Sequence, residues 1–166
     1  MKFEKIGFIG LGLIGGSLAK KIRELKPATQ IYATAGHAST ITLAHDMGLC
    51  QNKAPLEMSD FKDCNLIFLC APVHKNVEYL AQLKDIIKSD CIITDVGSTK
   101  TEIHEKVIEL GLEDNFIGGH PMTGSEKTGL QYSTERLFEN TCYIITPTSR
   151  TLDETVLEFK DFVSSL

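Results

Sequence analysis

Apolar residues change period repeatedly along this chain. Lys5–Ile9 is a short β-rich run, and Leu13, Ile14, Leu18, Ile22 and Leu25 then recur at helical spacing until Pro27 stops them. Residues 30–34 read as a second strand. Thr40–Met47 has helical character, and Gly48 stands where a helix C-terminus wants a glycine. A weak strand is predicted near Leu49-Cys50-Gln51. Asn65–Cys70 is a strongly apolar strand that Ala71-Pro72 terminates, since proline cannot donate to a central ladder. Val77–Ile87 predicts a helix, Cys91–Asp95 a strand, and Ile103–Leu110 a helix closed by Gly111. Asn115–Ile117 and Thr141–Ile145 predict further strands flanking a long polar loop. Leu152, Val156, Phe159, Phe162 and Val163 outline a last amphipathic helix.

The strands near Ile67, Ile92 and Ile144 are almost continuously apolar. That pattern belongs to parallel strands covered on both faces. Regular strand–helix alternation points the same way, to a doubly wound, mostly parallel α/β domain. No repeat, low-complexity stretch or linker interrupts the pattern, so residues 1–166 are read as one domain, with no room left for a second.

Composition narrows the function classes. Of 166 residues, 42% are hydrophobic and 23% charged, as in an ordinary globular domain. The 17 basic and 22 acidic residues leave a net charge of −5, which argues against nucleic acid as partner. No apolar run reaches the ~20 residues that span a bilayer, so no membrane partner is expected. Glycines from Gly10 onward deny the N-terminus the apolar core of a signal peptide. The 5 cysteines, Cys50, Cys64, Cys70, Cys91 and Cys142, are odd in number and contain no C-x-x-C. They are expected to be reduced and mainly buried in a cytoplasmic protein. No His, Asp, Glu or Cys cluster has the spacing of a metal site.

Gly10-Leu11-Gly12-Leu13-Ile14-Gly15 is G-x-G-x-x-G placed between a predicted strand and a predicted helix. That context makes it a dinucleotide-binding signal and the fold Rossmann-type. Gly10 serves the tight turn, Gly12 the close approach of a pyrophosphate, and Gly15 the contact of helix with strand. The helix N-terminus offers free N–H groups to the phosphates, so Leu13 and Ile14 join the candidate cofactor site. An acid about 20 residues further on would bind the ribose 2′-hydroxyl of NAD. Thr34, Ala35 and the residues to Thr40 contain none. NAD or NADP is therefore expected, with a slight lean to NADP, although no arginine is there to recruit the extra phosphate.

Ligands of such sheets lie beyond the carboxyl ends of the strands. Three loops leave those ends: Cys70-Ala71-Pro72-Val73, Asp95-Val96-Gly97-Ser98-Thr99-Lys100, and Gly118-Gly119-His120-Pro121-Met122-Thr123-Gly124-Ser125-Glu126. Together with GLGLIGGSLA, the motifs CAPV, DVGSTK and GGHPMTGSEKTG resemble, in order, the nucleotide-binding domain of the prephenate/arogenate dehydrogenase family. The resemblance runs from about Ile6 to Tyr143. It implies NAD(P)-dependent oxidative decarboxylation of a cyclohexadienyl alcohol on the tyrosine pathway, with a small-molecule substrate. His120 matches the histidine that takes the hydroxyl proton, and Ser98 the serine that orients it near the nicotinamide. Ser125 and Glu126 match polar residues at the mouth of the substrate site. Thr123 stands where many relatives have Ala, so its role stays open. Ala71, Pro72, Val73 and Gly97 fall on the cofactor side. The resemblance also implies a helical dimerisation domain beyond Leu166, absent from this sequence, and a homodimer for the longer form.

The residues alone also allow plainer roles. Ser98 suits a helix N-cap with Thr99 and Glu102 nearby. His37, His45, His74 and His104 read as surface histidines, and Lys100 and Lys127 as solvated or carboxylate-attracting lysines. Two other functions stay open: another NAD(P) oxidoreductase of the 3-hydroxyacid dehydrogenase or imine reductase type, and a cofactor-binding module without catalysis.

Overall fold

The computed structural model describes residues 3–166. Four strands, β1 (Lys5–Ile9), β2 (Gln30–Thr34), β3 (Leu66–Leu69) and β4 (Ile92–Asp95), form an all-parallel sheet in the order β2-β1-β3-β4. Helices α1 (Leu13–Leu25), α2 (Ala38–Asp46), α3 (Val73–Leu83), α4 (Thr101–Leu110) and α5 (Asp153–Ser164) cover it. Alternation along each strand divides the core in two. Ile6, Phe8, Leu66 and Phe68 pack with Leu18, Ile22 and Phe159 from α1 and α5. Ile67, Leu69 and Ile93 pack with Leu80, Leu83, Ile103 and Val107 from α3 and α4. The doubly wound expectation holds.

The sheet ends differently from the expected pattern. Strand β5 (Ile117–Pro121) joins the backbone ladder of β4 through an isolated parallel bridge between Ile93 and Phe116, the residue just before it. It then pairs along its length with β6 (Tyr143–Pro147), and that pairing is antiparallel. The run near Ile144 is thus not a parallel strand covered on both faces. It returns from the long segment after β5 and lies at the edge, where Ile144 is 46% exposed. Gly118–Pro121, expected as part of a loop, is strand.

The weak strand predicted near Cys50 does not form. Leu49 and Cys50 turn inward to the core while the chain crosses the open edge of β2. Side-chain amides occupy that edge instead. Gln51 Oε1 accepts from Ile31 N at 2.9 Å, Asn52 Oδ1 accepts from Ala33 N at 3.0 Å, and Asn52 Nδ2 donates to Ala33 O at 2.8 Å. An edge covered this way offers little to a second chain.

Helix α3 starts earlier than predicted, directly after Pro72, because proline is well tolerated ahead of a first turn. Ile86 and Ile87 fall beyond its end. Gly48 and Gly111 have φ of +70° and +69° and close α2 and α4 as their positions suggested. All five cysteines are free thiols; Cys50, Cys64 and Cys91 are buried, Cys70 is half-buried and Cys142 exposed. Burial pushes the Cys64 thiol up to about 12. No helix among the described residues is long and apolar enough to cross a membrane.

Asn52→Ala leaves the Ala33 backbone without its partners. It is expected to lower stability by about 1–3 kcal/mol, read as a lower urea midpoint with an unchanged slope.

Candidate active site

The carboxyl ends of β1 to β4 lie along one edge of the sheet, and the end of β5 joins them because it runs parallel to β4 at the Ile93–Phe116 bridge. Gly10 has φ +104°, and a Cβ there would lie 2.8 Å from the Cys70 carbonyl carbon and 2.9 Å from Ala71 N. At Gly15 a Cβ would strike the Gly10 carbonyl oxygen and lie 3.0 Å from the Cys70 Cβ. These two glycines therefore let the turn after β1 press against the end of β3. Gly12 differs. A Cβ there meets nothing within 4 Å, so its surroundings are open on the ligand side. It is also the N-cap of α1, which opens without a side-chain cap.

The Cys70–Val73 loop is held by Asn76, a buried residue of α3. Asn76 Nδ2 donates to Ala71 O at 2.9 Å and to Leu69 O at 3.2 Å, while its Oδ1 accepts from Ala71 N at 3.2 Å. The next loop approaches closely: a Cβ at Gly97 would lie 3.1 Å from Val73 Cγ2. Ser98 in that loop is exposed and is not the cap of α4. Lys100 occupies the N-cap position, and no side chain caps the helix. The Lys100 side chain is 19% exposed, and its ammonium pairs with Asp95 Oδ2 at 2.5 Å and donates to Gly97 O at 2.6 Å. It is neither solvated nor free for a ligand, contrary to expectation.

His120 lies in β5 opposite Ile144 and is half-buried. By strand alternation it shares a face with Gly118, beside which His104 and Lys100 pack: a Cβ at Gly118 would lie 2.8 Å from His104 Nε2 and 3.1 Å from Lys100 Cδ. His104 is thus no surface histidine. Its ring stands edge-on to Phe116 with centroids 5.4 Å apart, and its Nε2 is buried without a hydrogen-bond partner. Burial holds this imidazole below its ordinary value; Asp95 opposes that shift and Lys100 adds to it.

Beyond β5, Thr123 Oγ1 donates to Leu137 O at 3.0 Å, which pins the following loop. Ser125 is exposed and its Oγ accepts from Lys127 N at 3.1 Å; Glu126 is exposed beside it. The Lys127 ammonium stands 5.2 Å from the Tyr132 ring centroid. The rest of the long segment turns back over α1. Ser17 Oγ accepts from Thr134 N at 3.0 Å, and Lys20 Nζ donates to Ser133 O at 2.6 Å. On the other flank, Thr34 is buried at the end of β2 and its carbonyl accepts from Gly10 N at 2.9 Å. Ala35 follows, and α2 begins at Ala38 with no acid in its first turn. Gly10, Ala35, Ala71, Val73, Gly97, Ser98 and His120 thus share one rim, and Ser125 and Glu126 follow in the exposed loop after β5.

A family model for the nucleotide-binding domain of prephenate dehydrogenase matches residues 18–166. The chain belongs to that family. The match begins just after the glycine turn and takes in all three loops of the rim. A prephenate dehydrogenase from Lactococcus lactis subsp. cremoris (strain MG1363) is 37% identical over 154 residues, 91% of this chain and 43% of the relative. Among solved structures, prephenate dehydrogenase from A. aeolicus in complex with hydroxyphenyl propionate and NAD+ superposes with a TM-score of 0.89 at 29% identity, covering 99% of this chain and 58% of that one. Synechocystis arogenate dehydrogenase gives 0.86 at 33% identity, covering 96% and 56%. This member of the prephenate dehydrogenase family thus spans about half the length of those relatives.

Asn76, Asp95 and the structural use of Lys100 escape a sequence reading. The signal for Asn76 is a polar residue on the inner face of an amphipathic helix. For Asp95 it is an acid ending an otherwise apolar strand.

The unfolded chain holds a proton on His104 more readily than the folded one, so its contribution to stability is complete above the ordinary value of about 6.5 and fades as pH falls below it. The melting temperature is expected to drop between about pH 7.5 and 5.5, and His104→Gln to flatten that drop in a pH series of thermal melts.

Proposed function

We propose that this chain is the dinucleotide-binding half of an NAD(P)-dependent dehydrogenase that oxidatively decarboxylates prephenate or arogenate in tyrosine biosynthesis. One observation carries the reading: the glycine turn after β1 and the histidine strand β5 end on the same rim, joined through the loops after β3 and β4. The rim fits a dinucleotide. The open space at Gly12 and the uncapped start of α1 suit a pyrophosphate, with Leu13, Ile14 and Gly15 in the first turn. Thr34 and Ala35 would flank the adenine ribose. Ala71, Pro72, Val73, Gly97 and Ser98 would flank the nicotinamide.

When bound, the nicotinamide ring supplies the hydride acceptor. The protein's own residues then have positional and acid–base work. His120 accepts a hydrogen bond from the substrate hydroxyl and takes its proton as the carbinol carbon is oxidised. An imidazole suits that step because it titrates near neutrality. Ser98 orients the hydroxyl and the ring toward each other. Ser125 and Glu126, with Thr123, would lie at the mouth of the substrate site, as the family motif implies. Loss of the carboxylate as CO2 is driven by aromatisation of the product ring and asks for no metal.

The empty acid position at Ala35 and the uncapped start of α2 favour NADP over NAD, because a carboxylate there would repel a 2′-phosphate. A cytoplasmic location and a homodimeric full-length form belong to the same reading; the free thiols support the first.

Calorimetric titration is expected to show both nucleotides binding, NADP+ more tightly by about tenfold. Tighter NAD+ binding overturns the cofactor preference, and no binding overturns the whole reading. In prephenate- or arogenate-dependent nucleotide reduction, His120→Ala is expected to lower kcat by about 10²–10⁴-fold with nucleotide affinity kept. Full turnover by that variant removes His120 from its role.

A further inference from the structure

Asp95 has no part in the chemistry just described, yet its side chain hydrogen-bonds the backbone of both key segments of the rim. It is fully buried at the end of β4. Its Oδ2 accepts from Gly97 N at 2.9 Å and from the Lys100 ammonium at 2.5 Å. Its Oδ1 accepts from Gly119 N at 3.2 Å. Gly97 immediately precedes Ser98, and Gly119 immediately precedes His120. Each carboxylate oxygen therefore grips the backbone one residue ahead of a candidate active-site residue. Lys100 adds a hold on the Gly97 carbonyl.

The surrounding strands make this link matter. The bridge at Ile93–Phe116 is where β4 and β5 are paired through their backbones, and beyond it β5 takes β6 as partner. Past that bridge, the Asp95 side chain supplies a hydrogen bond between the two strand ends. Space behind Gly119 is closed, since a Cβ there would lie 2.6 Å from Asp95 O and 2.6 Å from the Tyr143 hydroxyl oxygen.

We propose that Asp95 is a positioning residue that sets Ser98 and His120 at one fixed separation on the rim, with Lys100 as its counter-charge. This rests on the roles given above to Ser98 and His120. The carboxylate is specifically required, because donors approach both of its oxygens. An asparagine must turn its NH2 toward one of them. The Gly97 side presents two donors, one of them charged, so the amide oxygen stays there and the NH2 faces Gly119 N–H. Asp95→Asn therefore releases β5 while keeping the Gly97 loop.

Amide NMR on the labelled full chain tests this. In Asp95→Asn, the Gly119 amide proton is expected to move upfield and to lose at least about tenfold in exchange protection. The Gly97 amide should change less, and the His120 ring-proton shifts should move. Tyr143→Phe, which removes a hydroxyl that lies beside Gly119 but outside the link, is expected to leave the His120 shifts in place. Nucleotide affinity should stay within about threefold of the parent while kcat falls about 10²-fold. An unchanged Gly119 amide, unmoved His120 shifts, or the same His120 shifts from Tyr143→Phe would overturn the proposal. If Asp95→Asn does not fold, the parent chain decides: slow exchange at both Gly97 and Gly119 supports the link, and fast exchange at either refutes it. The shift and exchange readouts need no turnover, so a failure of the dehydrogenase reading, seen as absent nucleotide binding or substrate-dependent reduction by the parent, is separable from a failure of this one.

Discussion

The contact between the turn after β1 and the end of β3 is the constraint on which the rest of this molecule depends. Backbone there meets backbone, because any side chain at Gly10 would sit inside the Cys70–Ala71 peptide and any at Gly15 would strike the Gly10 carbonyl. The approach fixes where α1 starts and points its first turn across the rim. It also fixes how far the Cys70–Val73 loop can lean, a limit that Asn76 reinforces from α3. A residue larger than glycine at either place has to move a central strand, which a close-packed core resists. The candidate nucleotide site is thus a consequence of sheet packing, and the open side of Gly12 is the space that packing leaves.

Much of this was legible in the chain because it follows from period and from glycine. The parallel sheet, the helices on both faces and the glycine turn all come from local patterns that tertiary contacts merely reinforce. The misread parts are those that local pattern does not encode. The run Tyr143–Ile145 is as apolar as a central strand, but its neighbours in space come from β5 and α5, and they leave Ile144 to solvent. Leu49–Gln51 reads as a weak strand and forms none, yet the Gln51 and Asn52 side-chain amides supply donors and acceptors at the edge of β2. His104 looks like a surface residue of a polar helix face until Gly118, which has no side chain, makes room for its ring.

The candidate site divides along the same line. His120, Ser98 and the glycines carry motifs that resemble a known family, and the chain belongs to it. The residues that hold them in place carry no motif of their own. Asp95 ends a strand and Lys100 starts a helix, and either would pass for ordinary in isolation. Their meaning is in the pairing, which forms within the loop after β4 and reaches Gly119 once β5 lies beside β4.

That pairing is better understood as geometry than as stability. A buried ion pair gives back in attraction roughly what desolvation costs, and an apolar pair of the same size often serves the fold as well. Apolar side chains could fill the space below the rim without specifying where the Gly97 and Gly119 backbones lie. A carboxylate with two oxygens and a single rotamer specifies both at once. Extending the β4–β5 ladder would also fix the distance, but would flatten the end of β5 against β4 and deny it β6 as a partner. A side-chain link lets β5 leave the parallel sheet, pair with β6, and still arrive at the rim in a set position. The antiparallel turn-out of β5 and the buried carboxylate at the end of β4 are then two parts of one solution.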